Sequence, residues 1–294
     1  MHALPKFLSG LAFASAAVLA TPALAQSTWT YDSFGLSSGT ATTYGNAYSQ
    51  TQGGVKLTVS AYSTTSNGSA TNVSAGTLFA TANIGNFGAG SGFGVRNQFE
   101  TTSVSTPQHS MDNYSNTDML ALNFTNSSTN AAVSMVLTQL ATGWHNTATT
   151  GIGGISCNGS ASNCVDSDIS LLRYTGSLAQ PAIAGKSMSD LLSSGWVLVN
   201  NYANLVDDTN RATGLTASSS GSSWWLISAY NSAWGTGSNT ANLSNGDDFV
   251  KVLSSISTVP TTPDGVPEPG TIALAGLALA GVAASRRKAK GAKA

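Results

Sequence analysis

Between Gln26 and about Thr258, apolar and polar residues alternate over short runs, and clusters of Gly, Asn and Ser bound each run. Alternation with a period of two places successive side chains on opposite faces, the signal of a half-buried strand. In Val55–Tyr62, Val55, Leu57, Val59 and Ala61 share one face, and Lys56, Thr58 and Ser60 share the other. Gly92–Glu100 sets Phe93, Val95 and Phe99 against Arg96, Gln98 and Glu100, while Met119–Phe124 groups Leu120, Leu122 and Phe124. Further strands are expected at Thr77–Ile84, Val133–Leu140, Ile169–Tyr174, Trp196–Tyr202, Trp224–Tyr230 and Phe249–Ser257. One short helix is expected at Ser187–Ser193, with Ser187 as N-cap and Gly195 just past its end. The pattern predicts an all-β chain with a single β-sandwich of jelly-roll type over residues 26–258. The low-complexity stretches Thr64–Ser74 and Ala217–Ser223 read as loops within it.

Both ends follow other rules. Residues 1–25 carry Lys6, an apolar run from Phe7 to Ala20, Pro22, and then Ala23-Leu24-Ala25. That order is a signal peptide, with signal peptidase expected to cut before Gln26. At the other end, prolines at 260, 263, 267 and 269 make a stiff spacer over residues 259–269. Residues 270–294 then give an apolar run to Ser285 followed by Arg286-Arg287-Lys288. As a helix the run would be about 24 Å long. Flanking basic side chains can snorkel to extend it across a hydrocarbon core of about 30 Å. A single transmembrane helix with a cytoplasmic basic tail is the expectation, and it leaves everything upstream outside that membrane.

Charge narrows the function. Only 9% of the 294 residues are charged, and the formal net charge is −1. Between Gln26 and Pro269, however, six basic residues face all thirteen acidic ones, a net of −7. A nucleic-acid partner needs clustered Lys and Arg to displace counterions from phosphates, so none is expected. The 41% hydrophobic content argues against a wholly disordered chain.

The run VPEPGTIALAGLALAGVAASRRK closely resembles the PEP-CTERM sorting segment of Gram-negative bacteria. Pro267, Glu268 and Pro269 match its tripeptide, and Arg286 and Arg287 its basic stop. The resemblance implies recognition by exosortase, an integral-membrane enzyme of transpeptidase type, with cleavage near the tripeptide. It further implies a membrane-anchored precursor that passes to the cell surface or beyond. The middle is similar to the first described type of exosortase-dependent surface protein. The stretches carrying that likeness are GFGVRNQFE, PQHSMDNYSNTDMLALNF, DSDISLLRYTG, SSWWLISAYN and DDFVKVLS. That family has no assigned biochemical activity.

Candidate chemistry is sparse. His109 and His145 have no partner at zinc-ligand spacing and read as a turn residue and a strand-end residue. Gly35-Leu36-Ser37-Ser38-Gly39 fits G-x-S-x-G, but no helix is expected after it, so the nucleophile-elbow context is missing. The glycine clusters at 88–94 and 151–154 lack the spacing and βαβ setting of a phosphate loop. Asp112, Asn113, Asn116 and Asp118 crowd one expected loop, and Asp166 and Asp168 precede a strand. Such residues favour turns by bonding nearby backbone, and Asp112, Asp118, Asp166 and Asp168 are also candidate Ca²⁺ ligands. Trp224 and Trp225 are adjacent in an expected strand and must face opposite ways. Either loops bury both, or one is exposed as a platform for stacking sugars.

The leading expectation is therefore a non-enzymatic, exosortase-sorted surface or extracellular-matrix protein, associating with extracellular polysaccharide. The alternatives are a carbohydrate-binding module, with Ca²⁺ as its only candidate cofactor, and a secreted polysaccharide hydrolase. No catalytic residue is assigned.

Cys157 and Cys164 are the only cysteines, and export would place them in an oxidising compartment where a pair normally bridges. The intervening NGSASN is flexible enough to bring them together. Closing so short a loop contributes roughly 2–3 kcal/mol. Replacing both (Cys157→Ser, Cys164→Ser) should leave a folded protein with a lower melting temperature and faster proteolysis near residues 146–165. Mass spectrometry of the unreduced wild type should find the pair oxidised.

Overall fold

The computed structural model describes residues 26–65, 73–86, 90–100, 109–145, 167–177, 179–205, 213–215, 220–237 and 243–259. The expected leader, the spacer beyond Val259, the C-terminal helix, Asp166 and both cysteines lie outside these residues. Among the described residues no helix is long and apolar enough to cross a membrane.

In chain order the strands are β1 (Gln26–Thr30), β2 (Gly35–Ser38), β3 (Ala47–Gln52), β4 (Val55–Thr64) and β5 (Phe79–Thr81). Next come β6 (Asn83–Asn86), β7 (Phe93–Arg96), β8 (Met111–Asp112), β9 (Asp118–Asn126) and β10 (Val136–His145). They are followed by β11 (Ile169–Tyr174), helix α1 (Met188–Ser193), β12 (Trp196–Tyr202), β13 (Thr213–Gly214), β14 (Trp224–Ala229) and β15 (Phe249–Thr258). Seven strands form sheet I and eight form sheet II. The last eight strands pair as nested antiparallel partners: β8 with β15, β9 with β14, β10 with β13 and β11 with β12. Two of these pairs lie in each sheet, joined side by side by β10–β15 and β11–β14. This is the connectivity of a jelly roll.

The earlier strands widen both sheets. β4 lies beside β9, and β3 and β2 follow it in a meander to the edge of sheet II. In sheet I, one edge of β15 pairs with β10 while β8, β7 and β1 share the other in succession. Gln26 at the start of β1 sits opposite Thr258 at the end of β15.

The alternation in the sequence becomes two apolar layers. Trp29, Ile84, Phe93, Val95, Leu137, Val250 and Val252 of sheet I meet Leu57, Val59, Leu120, Leu122, Phe124, Leu171, Trp225 and Ile227 of sheet II in one core. The intervening residues of sheet II, including Met119, Ala121, Leu172, Trp224 and Leu226, form a second core on its outer face. Met188 and Leu191 of α1 and Trp234 of a 3₁₀ turn cover that face. A capping box holds α1 in place: Asp190 N–H donates to Ser187 Oγ at 3.2 Å, and Ser187 N–H to Asp190 Oδ2 at 3.0 Å. Gly195 follows with φ +106°, as expected of the residue that ends such a helix.

Two expected strands are divided differently. Gly92–Glu100 ends as a strand at Arg96, and Asn97–Glu100 forms a turn that leaves Phe99 40% exposed. The Thr77–Ile84 run is two strands, one in each sheet, with Ala82 at the crossing.

Two glycines separate freedom from necessity. Gly53 has φ +54° in the two-residue β3–β4 turn, and a Cβ there would touch nothing within 4 Å. Gly92 has φ +79°, and a Cβ there would lie 2.1 Å from the Val252 carbonyl oxygen. Gly53→Ala should cost about 1–2 kcal/mol of stability and Gly92→Ala at least about 3 kcal/mol, measured by denaturant unfolding of the full chain.

Candidate metal centre

Where the chain leaves sheet I for sheet II, Asp112 closes β8 and Asp118 opens β9. Asp112 lies opposite Phe249 of β15, and Asp118 opposite Ser63 of β4, so pairing in both sheets fixes the two carboxylates. The turn after β7 adds Glu100. Asn97 N–H donates to Glu100 Oε2 at 2.7 Å, and Phe99 N–H donates to Asn97 Oδ1 at 2.9 Å. One carboxylate oxygen from each of Glu100, Asp112 and Asp118 lies within 4.8 Å of the other two.

These acids are poorly solvated. Asp112 and Asp118 are 2% and 0% exposed. Tyr114 N–H donates to Asp112 Oδ1 at 3.0 Å, and Asp112 N–H to Asp118 Oδ2 at a long 3.4 Å. Asp112 Oδ2 and Asp118 Oδ1 have no hydrogen-bond partner. Burial, reinforced by the Asp118 charge, holds Asp112 well above the ordinary carboxylate range. Burial pushes Asp118 up to about 7. Glu100 is raised first by burial and then by the charges of Asp112 and Asp118, against weaker opposition from the Asn97 N–H and Arg96.

Asp168 does not join them. Its oxygens accept from Asn204 N–H at 2.7 Å and Ser244 N–H at 3.1 Å, while its own N–H donates to Asp248 Oδ1 at 2.5 Å. Asn113 Nδ2 donates to Asp248 Oδ2 and to the Tyr230 carbonyl, and Asp248 N–H returns a bond to Asn113 Oδ1. Asp168, Asp248 and Asn113 therefore knot loops together through backbone donors. Of the four candidate aspartates, Asp112 and Asp118 converge, Asp168 accepts from loop backbone, and Asp166 lies outside the described residues. Glu100 was missed because it was read as the solvent side of a strand. The signal available was Asn97, a turn-forming residue three positions earlier.

The remaining candidates are dispersed. Trp224 and Trp225 face opposite sides as expected, and both are buried, with their indole N–H groups donating to the Ala179 and Met135 carbonyls. Five of the six tryptophans are buried, and Trp144, the sixth, is half-buried beneath Lys251 Nζ at 5.1 Å. Neither Trp224 nor Trp225 offers an open platform to a sugar. Ser37 of the G-x-S-x-G run lies on the exposed edge strand β2 and donates to the Ala47 carbonyl. His109 is buried just before β8, and His145 ends β10.

The sorting residues lie beyond the last strand, and comparison with known families decides what they are: residues 265–288 match the PEP-CTERM protein-sorting motif. The chain carries a PEP-CTERM sorting motif. Pro267, Glu268, Pro269, Arg286 and Arg287 all fall within it. A PEP-CTERM motif is a recognition signal for exosortase, and it directs export toward the cell surface or the extracellular space. No curated protein and no solved structure matches the chain.

The raised carboxyls set a pH dependence. A carboxyl held above its unfolded value binds its proton in the folded state after the unfolded chain has released it. Its contribution is therefore complete below about pH 4 and lost as pH rises, through about 7 for Asp118. With EDTA present, the melting temperature should fall between pH 5 and pH 8, and Asp118→Asn should flatten that fall. Differential scanning fluorimetry at several pH values checks both.

Proposed function

We propose that this protein is a non-enzymatic surface or extracellular-matrix component, sorted by exosortase and associated with extracellular polysaccharide. Residues 1–25 would direct export and be removed by signal peptidase. Residues 270–294 would then hold the precursor in the inner membrane, with the jelly-roll domain outside, until exosortase cuts near Pro267-Glu268-Pro269. The observation that carries this reading is the motif match at 265–288, following only a short spacer after β15.

Two features support a structural role over a carbohydrate-binding module or a hydrolase. The burial of Trp224 and Trp225 removes the adjacent pair on which a sugar-stacking platform was expected. Asp112 and Asp118 are closed to solvent, whereas glycoside hydrolysis needs two carboxyl groups flanking an open cleft.

Replacing the tripeptide (Pro267→Ala, Glu268→Ala, Pro269→Ala) should strand an unprocessed precursor in the membrane fraction and leave the melting temperature of the domain unchanged. Fractionation of producing cells with immunoblotting reads the first effect. Normal processing and surface delivery of the triple variant would overturn the sorting assignment.

A further inference from the structure

The Glu100, Asp112 and Asp118 carboxylates supply only oxygen donors, and their nearest oxygens lie within 4.8 Å of one another. Two ligands on opposite sides of one Ca²⁺, each at about 2.3–2.6 Å, are separated by about that distance. Asp112 Oδ2 and Asp118 Oδ1 are unpartnered although their side chains are 2% and 0% exposed. Leaving a buried acceptor unmade is costly, and native proteins satisfy such groups with a proton donor or an ion. The nearby cation does not close the gap: the Arg96 guanidinium donates to the Thr42 carbonyl at 3.2 Å and lies over the Tyr44 ring. Arg96 and one divalent ion together would balance three carboxylates.

We propose that Glu100, Asp112 and Asp118 form a divalent-cation site that takes Ca²⁺. Mg²⁺ is the poorer fit, because it retains several waters and demands near-ideal octahedral geometry, whereas Ca²⁺ accepts irregular sets of protein oxygens. The ion would join the turn after β7 to the β8–β9 crossing, and so clamp sheet I to sheet II at one end of the sandwich.

The test uses the full chain, stripped with EDTA and dialysed. Melting temperature is followed during titration with CaCl₂ or MgCl₂, and bound calcium is counted by elemental analysis. At a hundredfold excess over the dissociation constant, Ca²⁺ should raise the melting temperature by roughly 5–10 °C, with one ion bound per chain. Asp118→Asn and Glu100→Gln should each abolish most of that rise. Without cation, Asp118→Asn should melt above the wild type at pH 8, because it removes a buried like charge; Glu100→Gln gives a second reading on a turn position. Asp168→Asn should keep the Ca²⁺ response. Absence of bound calcium at millimolar CaCl₂, or a response that survives both Asp118→Asn and Glu100→Gln, overturns the site.

Discussion

The central strands of sheet II, β9, β14 and β11, are buried on both faces, and much of the molecule follows from that constraint. These strands supply apolar side chains to both faces, even residues to the inter-sheet core and odd ones outward, or the reverse. In β14, Trp225 and Ile227 go inward while Trp224 and Leu226 go outward, and all four are buried. The outer face then needs its own cover, which the segment around α1 and the 3₁₀ turn at Ser232–Trp234 provides. Large aromatics are thus committed to packing. The indole N–H groups of Trp224 and Trp225 bond to carbonyls and those of Trp29 and Trp234 to serine hydroxyls, while that of Trp196 has no hydrogen-bond partner.

How much of this was legible depends on what each strand buries. β11 and β12 lie where the hydrophobic pattern put them, since Ile169–Tyr174 and Trp196–Tyr202 are apolar and bounded by turn residues. The α1 cap was legible because Ser187 is a favoured N-cap residue and Gly195 stands just past the helix end. By contrast, β3 reads AYSQTQ and β1 reads QSTWT. Their places in the sheets come from backbone pairing with β4 and β15, a long-range property that local hydropathy does not carry. Asp112 and Asp118 could be singled out as a crowded pair, but Glu100 joins them only through the way β7, β8 and β9 are stacked in space.

The acidic end of the sandwich shows two solutions to burying carboxylates. Asp168 and Asp248 are surrounded by backbone and amide donors that hold their oxygens in hydrogen bonds. Glu100, Asp112 and Asp118 stand close together, and the charge of Asp118 adds to the desolvation of both Glu100 and Asp112. Neighbouring residues in sequence, Asp112 and Asn113, are divided between the two networks.

β15 is the strand on which sheet I converges, and it is also the last strand of the domain. A polypeptide threaded through a membrane amino-terminus first presents β1, β7, β8 and β10 long before their common partner arrives. Sheet I would therefore stay unpaired along its middle until residues 249–258 were available. The sorting motif starts at residue 265, only seven residues after β15 ends, so the last pairing of sheet I and the sorting motif are close neighbours along the chain. A chain truncated before β15 would leave four strands of sheet I lacking their mate.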